Sequence, residues 1–224
     1  MVETFENALT ADDIAWFKSD LAALINVDPV DRPCSGEDSL RIYGQEITNI
    51  DRRHILQPGD EAFRRMGDIL YRYVPRGTFF YMAYQRQYLP HQLHVDGVYP
   101  VYPTTDLNYA KSAIVPLDEN INSVFKTVVW NRAFLTNDDL QQYVKEFIAD
   151  RSQFPVISTV SETQEVDHCW AGTPSIVDTW LLDGVYNYRL GSIGMFDRTH
   201  VHCSSNWVQH GLVDHKDIIL LHIG

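Results

Sequence analysis

The chain has few cysteines, few positive charges and no long hydrophobic run. Its 224 residues include three cysteines and no Cys-x-x-Cys pair, which disfavours a disulfide framework and a structural zinc site. No stretch approaches the ~18 consecutive apolar residues that a membrane-spanning helix needs. With 18 basic and 30 acidic residues the net charge is −12, which disfavours general binding to nucleic acid or to an anionic membrane.

The small number of cysteines indicates the cellular compartment. Cys34, Cys169 and Cys203 are odd in number and widely spaced, as expected for free thiols in a reducing environment. Residues 1–6 contain neither a basic region nor an apolar run, so we expect no signal peptide and a cytoplasmic protein. Hydrophobic residues make up 45% and charged residues 21% of the chain, which is enough for an ordinary buried core.

Helix-start signals occur at three places. Thr10 opens a capping-box pattern before a predicted helix over 11–24, and Thr136 opens a second one before a predicted helix near 136–150. Asp60 can cap a further helix between them. The helix near 136–150 interrupts β-rich sequence, so we expect it to be an insertion packed on the outside of a sheet.

Short β-rich runs fill most of the rest of the chain. They are residues 79–84, 112–116, 124–131, 155–160, 175–181, 192–196 and 217–223. Helices first and many short strands afterwards are typical of a mainly β protein with supporting helices, built on a double-stranded β-helix or jelly roll. We expect one domain over 1–224, with supporting helices and loops in 1–75 and the barrel core in 76–224.

Histidines and one aspartate form the most informative pattern. His94 and Asp96 are two positions apart, so in a strand both side chains point to the same side. A distant histidine, His200 or His202, can complete a set of two imidazoles and one carboxylate. Such a set occupies one face of iron(II) and leaves the other coordination positions open.

At these residues the sequence resembles the iron(II)/2-oxoglutarate-dependent oxygenases. The resemblance covers roughly residues 79–223, including His94-Val-Asp96-Gly97 and the segment that opens with Gly191 and passes through Phe196. In the family, a strand that begins with Gly and ends in Phe precedes the distal histidine by a spacing that fits His202 and not His200. The resemblance therefore implies that His94, Asp96 and His202 are the metal ligands and the catalytic centre.

The resemblance also implies the cofactors: iron(II), with 2-oxoglutarate as co-substrate and O2. The far carboxylate of 2-oxoglutarate needs a cation on the strand after the distal histidine. Lys216 stands there in place of the usual Arg, without the Ser that follows in the family, and Arg198 is the competing anchor. Tyr84 matches a family tyrosine that contacts the co-substrate. Since Asp96 is present, hydroxylation or a related C–H oxidation is expected and halogenation is not.

Other interpretations stay open. Lys216 can instead guard a strand edge, Tyr84 can be a core residue, and His91 suits a loop better than a metal ligand. The protein as a whole can also be a cupin-like metal enzyme that does not use 2-oxoglutarate, or a jelly-roll binding module without enzyme activity.

The sequence restricts the partners more than it identifies them. We expect a small-molecule or protein-residue substrate, no nucleic acid and no membrane, and the oligomeric state is open. Segments 32–58, 97–110 and 160–172 are expected to surround the barrel mouth and to select the substrate.

Overall fold

A computed structural model describes most of the chain. The described residues are 1–25, 49, 51–75, 80–96, 111–118, 125–157, 176–205, 207 and 215–224. Most of the three segments expected to select the substrate, 32–58, 97–110 and 160–172, lies outside these residues.

Three α-helices are described: α1 (Ala11–Leu24), α2 (Glu61–Leu70) and α3 (Asn137–Ala149). Thr10 and Thr136 each accept a hydrogen bond from the backbone three residues on, and the capping-box aspartates bond back, as the sequence predicts. Among the described residues, no helix has the length and apolar character that crossing a membrane requires.

Nine strands form two antiparallel sheets within the described parts of the chain. They are β1 (Glu3–Phe5), β2 (Arg52–Leu56), β3 (Phe80–Gln87), β4 (Lys111–Pro116), β5 (Lys126–Ala133), β6 (Leu182–Asn187), β7 (Ile193–Asp197), β8 (His200–Ser204) and β9 (Lys216–Ile223). The larger sheet has the order β1-β7-β4-β9-β3-β2, and the smaller sheet has the order β6-β5-β8.

An isolated bridge between His94 and His202 adds a further short segment to the smaller sheet, next to β8. Four neighbouring strands of the larger sheet, β7-β4-β9-β3, then lie opposite four segments of the smaller one. From β3 to β5 the successive segments alternate between the two facing sheets, and from β6 to β9 they alternate again, which is the jelly-roll arrangement. The predicted fold class, mainly β with supporting helices, is confirmed.

Strand alternation divides the buried residues into outer and inner sets. On β9, Ile219, Leu221 and Ile223 belong to a core cluster that also contains residues of α1 and α2, so these helices cover the outer face of the larger sheet. A second cluster joins α3 to the outer face of β5 and β8. The inner faces enclose a third cluster and a cavity, which is where the candidate site lies.

Two of the predicted strands differ from the structure. Residues 175–181 were expected to be extended, but Ile176–Thr179 is a 3-10 turn in which the Thr179 hydroxyl donates to the Ile176 carbonyl over 2.6 Å. Ile176, Val177 and Asp178 are buried one after another, so this run has no alternation of buried and exposed positions to separate a strand from a helical turn. The described part of 155–160 is not in a strand either.

The two sheets leave no room for a side chain at Gly194 on β7. A β-carbon built there would lie 2.3 Å from the ring of Tyr186, a rigid buried side chain on β6. We expect Gly194→Ala to lower the free energy of unfolding by about 1–3 kcal/mol through overpacking, measured by urea denaturation. The matched control is Gly59→Ala, where nothing lies within 4 Å of the added carbon. Equal stabilities of the two variants would contradict this account.

Candidate active site

A cavity of about 370 Å³ lies between the two sheets. Residues of both sheets line it, and His94, Asp96, His202 and Lys216 are all among them. Its volume is within the range of small-molecule sites in proteins.

The three predicted metal ligands, His94, Asp96 and His202, lie together at this cavity. Asp96 is 3.7 Å from His94, measured from Oδ1 to Nε2, and 3.5 Å from His202, measured from Oδ2 to Nε2. One nitrogen or oxygen atom from each of the three falls within 4.8 Å of the others. That spacing suits one shared metal ion, whose ligand atoms lie about 2.0–2.2 Å from it.

Backbone hydrogen bonds set this grouping. His94 and His202 exchange both of their backbone bonds, at 3.0 Å and 2.9 Å, so they are directly opposite each other across the sheet. The Asp96 amide donates to the Arg198 carbonyl over 3.1 Å. The segment is therefore attached to β8 and to the turn before it.

Asn137, the first residue of α3, fixes the residue between two of the candidate ligands. Its side-chain oxygen accepts from the Val95 amide at 3.0 Å, and its side-chain nitrogen donates to the Val95 carbonyl at 2.8 Å. These two hydrogen bonds take the place of a neighbouring strand at Val95. It explains why the predicted helix near 136–150 matters to the site although it lies outside the barrel.

Both imidazoles have their second nitrogen engaged by the backbone. His94 Nδ1 is 2.6 Å from the Gln92 carbonyl, and His202 Nδ1 is 2.9 Å from the His200 carbonyl. A carbonyl oxygen only accepts, so Nδ1 carries the proton in each ring. Each Nε2 then presents a lone pair toward Asp96, which is the tautomer that a metal ligand needs.

Burial and neighbouring charges set the protonation states of His202 and Asp96. Burial, together with the adjacent His94, lowers the pKa of His202 to about 4, so this imidazole is neutral at pH 7. Burial by itself would raise the pKa of Asp96, but the nearby histidines and a hydrogen bond from the Ser112 hydroxyl lower it below its ordinary value. A neutral imidazole and an ionised carboxylate both bind metal without first losing a proton.

Lys216 lies in the same cavity as the triad. Its side chain is buried, with the residue 2% exposed, and Nζ donates to Ser204 Oγ over 3.1 Å and to the Tyr188 hydroxyl over 3.4 Å. Thr127 Oγ1 lies 2.9 Å from the same hydroxyl. Burial lowers the pKa of Lys216 from its ordinary value to about 7. An anion placed here would meet one cation and several hydroxyl groups.

The other predicted site residues have different positions. Arg198 is buried and lines the cavity, so it is brought together with the triad. Tyr84 is not: it points to the outer face of β3, where its hydroxyl donates to Asp20 over 2.8 Å within the core under α1. His200 lies 3.4 Å from Asp183 on β6 and not at the triad.

Several cavity residues were missed by sequence reasoning. On β3 the inward positions are Tyr81, Gln85 and Gln87, one residue out of step with Tyr84. His91, assigned to a loop, also lines the cavity. His222 lines it as well, on the face of β9 that carries Lys216, Ile218 and Leu220. The signal was the period of two in Lys216-x-Ile218-x-Leu220-x-His222, which marks one face with polar ends and an apolar middle.

A second group of possible ligands has a structural explanation. Asp118, His215 and Asp217 lie close enough to share an ion. However, Arg86 donates to both carboxylate oxygens of Asp217, at 2.8 Å and 2.7 Å. The positive charge that such a group requires is therefore supplied by the arginine.

Comparison with known proteins supports the fold. No protein-family model and no curated protein matches the sequence. Among solved structures, the chain is similar to the non-heme alpha ketoglutarate dependent epimerase SnoN from nogalamycin biosynthesis, with a TM-score of 0.57, 11% identity, and coverage of 100% of this chain and 77% of SnoN. It is also similar to HygX from Streptomyces hygroscopicus with nickel and 2-oxoglutarate bound, with a TM-score of 0.50, 13% identity, and coverage of 100% and 82%. SnoN is thus described as alpha ketoglutarate dependent, and the HygX structure contains 2-oxoglutarate.

The two hydrogen bonds from the Asn137 side chain to the Val95 backbone are here called the Asn137 clamp. Loss of this clamp should weaken metal binding although Asn137 is not itself a candidate ligand. Asn137→Ala removes both bonds to Val95, so the segment that carries His94 and Asp96 loses its fixed position. We expect the affinity for iron(II) to fall about 10–100-fold, the usual effect of losing a partner that orients metal ligands. Anaerobic equilibrium dialysis measures this. Asn131→Ala is the control, because Asn131 bonds the backbone at Leu181 and does not line the cavity; equal iron affinities of the two variants would refute the clamp.

The buried lysine predicts a pH-dependent stability. Because the pKa of Lys216 is about 7 in the folded protein, against an ordinary value of 10.5, the folded state binds fewer protons than the unfolded state between these values. The free energy of unfolding of the metal-free protein should therefore rise with pH across this window, by up to about 1.4 kcal/mol per pH unit.

Lys216→Met should remove that contribution and stabilise the protein most at pH 6, where the buried charge costs most. Urea unfolding of wild type and variant at pH 6 and pH 9 measures the difference. Lys145→Met, at an exposed position of α3, is the control and should change neither the stability nor its pH dependence. Parallel pH profiles of wild type and Lys216→Met would contradict the burial of a charged lysine.

Proposed function

We propose that this protein is an iron(II)- and 2-oxoglutarate-dependent oxygenase that hydroxylates, or otherwise oxidises, a C–H bond of a small molecule or of a protein residue. One observation carries the proposal: a two-histidine, one-carboxylate cluster and a buried lysine share one cavity of a jelly roll. A metal cluster without the cation would suit many metal enzymes. The cation adds a site for a carboxylate.

The three candidate ligands fit iron(II). His94 and His202 offer neutral nitrogens and Asp96 offers an anionic oxygen, a mixed set that iron(II) accepts and that covers only one face of the ion. Bound iron would supply the activation of O2 for the oxidation. The chain's own part is to hold the ligands through the backbone bonds at His94 and His202, and to orient the Asp96 carboxylate through a hydrogen bond from the Ser112 hydroxyl.

Lys216 is the proposed partner of the far carboxylate of 2-oxoglutarate. Its Nζ is held by Ser204 and Tyr188, so its position is defined before any ligand binds. Ser204 is two residues beyond His202 on the same face of β8, so Nζ of Lys216 reaches across from β9 to the wall that carries the triad. Solved structures of HygX and SnoN contain 2-oxoglutarate or alpha ketoglutarate together with a metal. Arg198 is the alternative anchor, whereas the outward side chain of Tyr84 gives it no place in this proposal.

The reaction type follows from the carboxylate ligand. Because Asp96 completes the triad, no additional position is left for a halide, which favours hydroxylation or a related C–H oxidation. Between the polar groups, the cavity wall also has apolar residues, including Ile114, Phe196 and Ile218, against which the C–H bonds of a substrate can pack. The scarcity of cysteine supports a reducing compartment such as the cytoplasm.

Anaerobic titration with iron(II) and then 2-oxoglutarate tests the proposal. The wild type should develop the visible charge-transfer band of chelated 2-oxoglutarate. His202→Ala should lose the band because it removes a ligand, whereas His200→Ala, two residues earlier on the same strand, should keep it. Lys216→Met should need at least about tenfold more 2-oxoglutarate to reach half of the band, since a charged hydrogen bond is lost.

Each outcome separates the proposal from its rivals. Iron uptake without a band, and without succinate release coupled to O2 uptake, would favour a cupin-like enzyme that does not use 2-oxoglutarate. No uptake of iron at all would favour a binding module. A band of equal strength in His200→Ala and His202→Ala would refute the assignment of the triad.

A further inference from the structure

We infer that Arg53 and Gln85 form an oxyanion-binding subsite in the cavity, and that the substrate is a small molecule carrying a carboxylate or phosphate group that binds there. The inference rests on the proposed function, because it assigns the substrate of the same cavity. Neither residue belongs to the triad or to the lysine anchor.

The two side chains are neighbours on the cavity face. Arg53 on β2 is directly opposite Gln85 on β3, and both line the cavity. Residues opposite each other in an antiparallel pair have β-carbons about 4.5–5.5 Å apart, so both side chains can reach one ligand group. β2 is the last strand of the larger sheet, which puts the pair at the border of the cavity.

Both residues present a donor that lacks an acceptor. Arg53 Nε and Gln85 Nε2 are buried, and neither has a hydrogen-bond partner among the described residues. Gln85 as a whole is only 2% exposed. Burying a polar group without a partner costs about 1–3 kcal/mol, so two such donors side by side indicate a ligand that accepts from both.

A hydrogen bond from Gln87 engages the oxygen end of the Gln85 amide in this structure. The Gln87 amide nitrogen donates to Gln85 Oε1 over 2.6 Å and also lies 3.1 Å from His91 Nε2. The Gln85 oxygen is therefore occupied, and its nitrogen is the group left for a ligand. A donor amide beside a guanidinium recognises an oxyanion and disfavours a cation.

The charge inside the cavity leads to the same class of ligand. Asp96 is the single carboxylate among the described residues that line the cavity. Iron(II), protonated Lys216 and Arg53 would carry four positive charges, and Asp96 with the 2-oxoglutarate dianion would offset three. Even with Arg198 left out of the count, one positive charge remains, although the protein as a whole carries −12. A buried charge needs a partner, and an anionic substrate provides it.

The test uses simple anions as probes of the subsite. Protein saturated with iron(II) and 2-oxoglutarate under anaerobic conditions is titrated with inorganic phosphate, with hexanoate, and with 1-hexanol as the uncharged counterpart. Tryptophan fluorescence reports binding, and the charge-transfer band reports that 2-oxoglutarate stays in place. The variants are Arg53→Gln, Arg53→Lys, Gln85→Leu and the control Arg52→Gln, since Arg52 is next in β2 and faces away from the cavity.

The expected result is binding of one or both anions more tightly than 1-hexanol, with the charge-transfer band retained. Arg53→Gln should weaken anion binding at least about tenfold, Gln85→Leu should weaken it less, and Arg53→Lys should restore part of it. Arg52→Gln should bind as the wild type does. Phosphate preferred over hexanoate indicates a phosphorylated substrate, and the reverse preference indicates a carboxylic acid.

Two results would overturn the inference. One is equal anion affinity in wild type and Arg53→Gln; the other is displacement of 2-oxoglutarate by the anions, which would place them at Lys216. A missing band in the wild type counts against the proposed function instead, and the fluorescence titration of wild type against Arg53→Gln still decides whether the oxyanion subsite exists.

Discussion

The arrangement of the candidate site depends on two backbone hydrogen bonds between His94 and His202. They attach a segment that is otherwise outside the named strands to the edge of the smaller sheet. Directly opposite residues in an antiparallel pair face the same side, so both imidazoles enter the cavity together. Asp96 follows at a spacing of two and joins them. The grouping of the three candidate ligands is thus a consequence of strand pairing more than of side-chain attraction.

The two faces of the larger sheet have separate tasks. The outward residues of β9 pack against α1 and α2, and the inward residues meet the cavity. Gly194 belongs to the region between the sheets, where the ring of Tyr186 takes the space that a side chain would need. Substitutions on the outer face should therefore change stability with little effect on chemistry, while inward substitutions act on ligands directly.

Sequence reasoning reached the fold and the grouping of the three candidate ligands for identifiable reasons. Capping boxes at Thr10 and Thr136 are local signals, and strand alternation is sufficient to place His94 and Asp96 on one face. The prediction was wrong for Tyr84, because a shift of one residue along a strand changes the face of the sheet on which a side chain lies. Tyr84 and Gln85 are adjacent in β3, yet pairing with β2 and β9 sends one to the outer core and the other to the cavity.

The polar strand β2 could not be predicted from its own sequence either. β2 begins Arg52-Arg53-His54, which has no apolar alternation; among the strands that the structure describes, it lies at the end of its sheet and pairs with β3 only. Its register against β3 comes from tertiary packing, and with it comes the position of Arg53 next to Gln85. The Asn137 clamp on Val95 is equally invisible in a linear reading, since it joins residues from separate elements.

The lowered pKa of Lys216 also affects how the cavity fills. With a pKa of about 7, a fraction of the molecules hold this lysine uncharged at neutral pH. A carboxylate that binds Nζ favours the ammonium form, so ligand binding draws a proton from solution into the protein. The heat of binding would then include the ionisation heat of the buffer. Alkaline conditions would weaken the complex even though the ligand's own charge is unchanged.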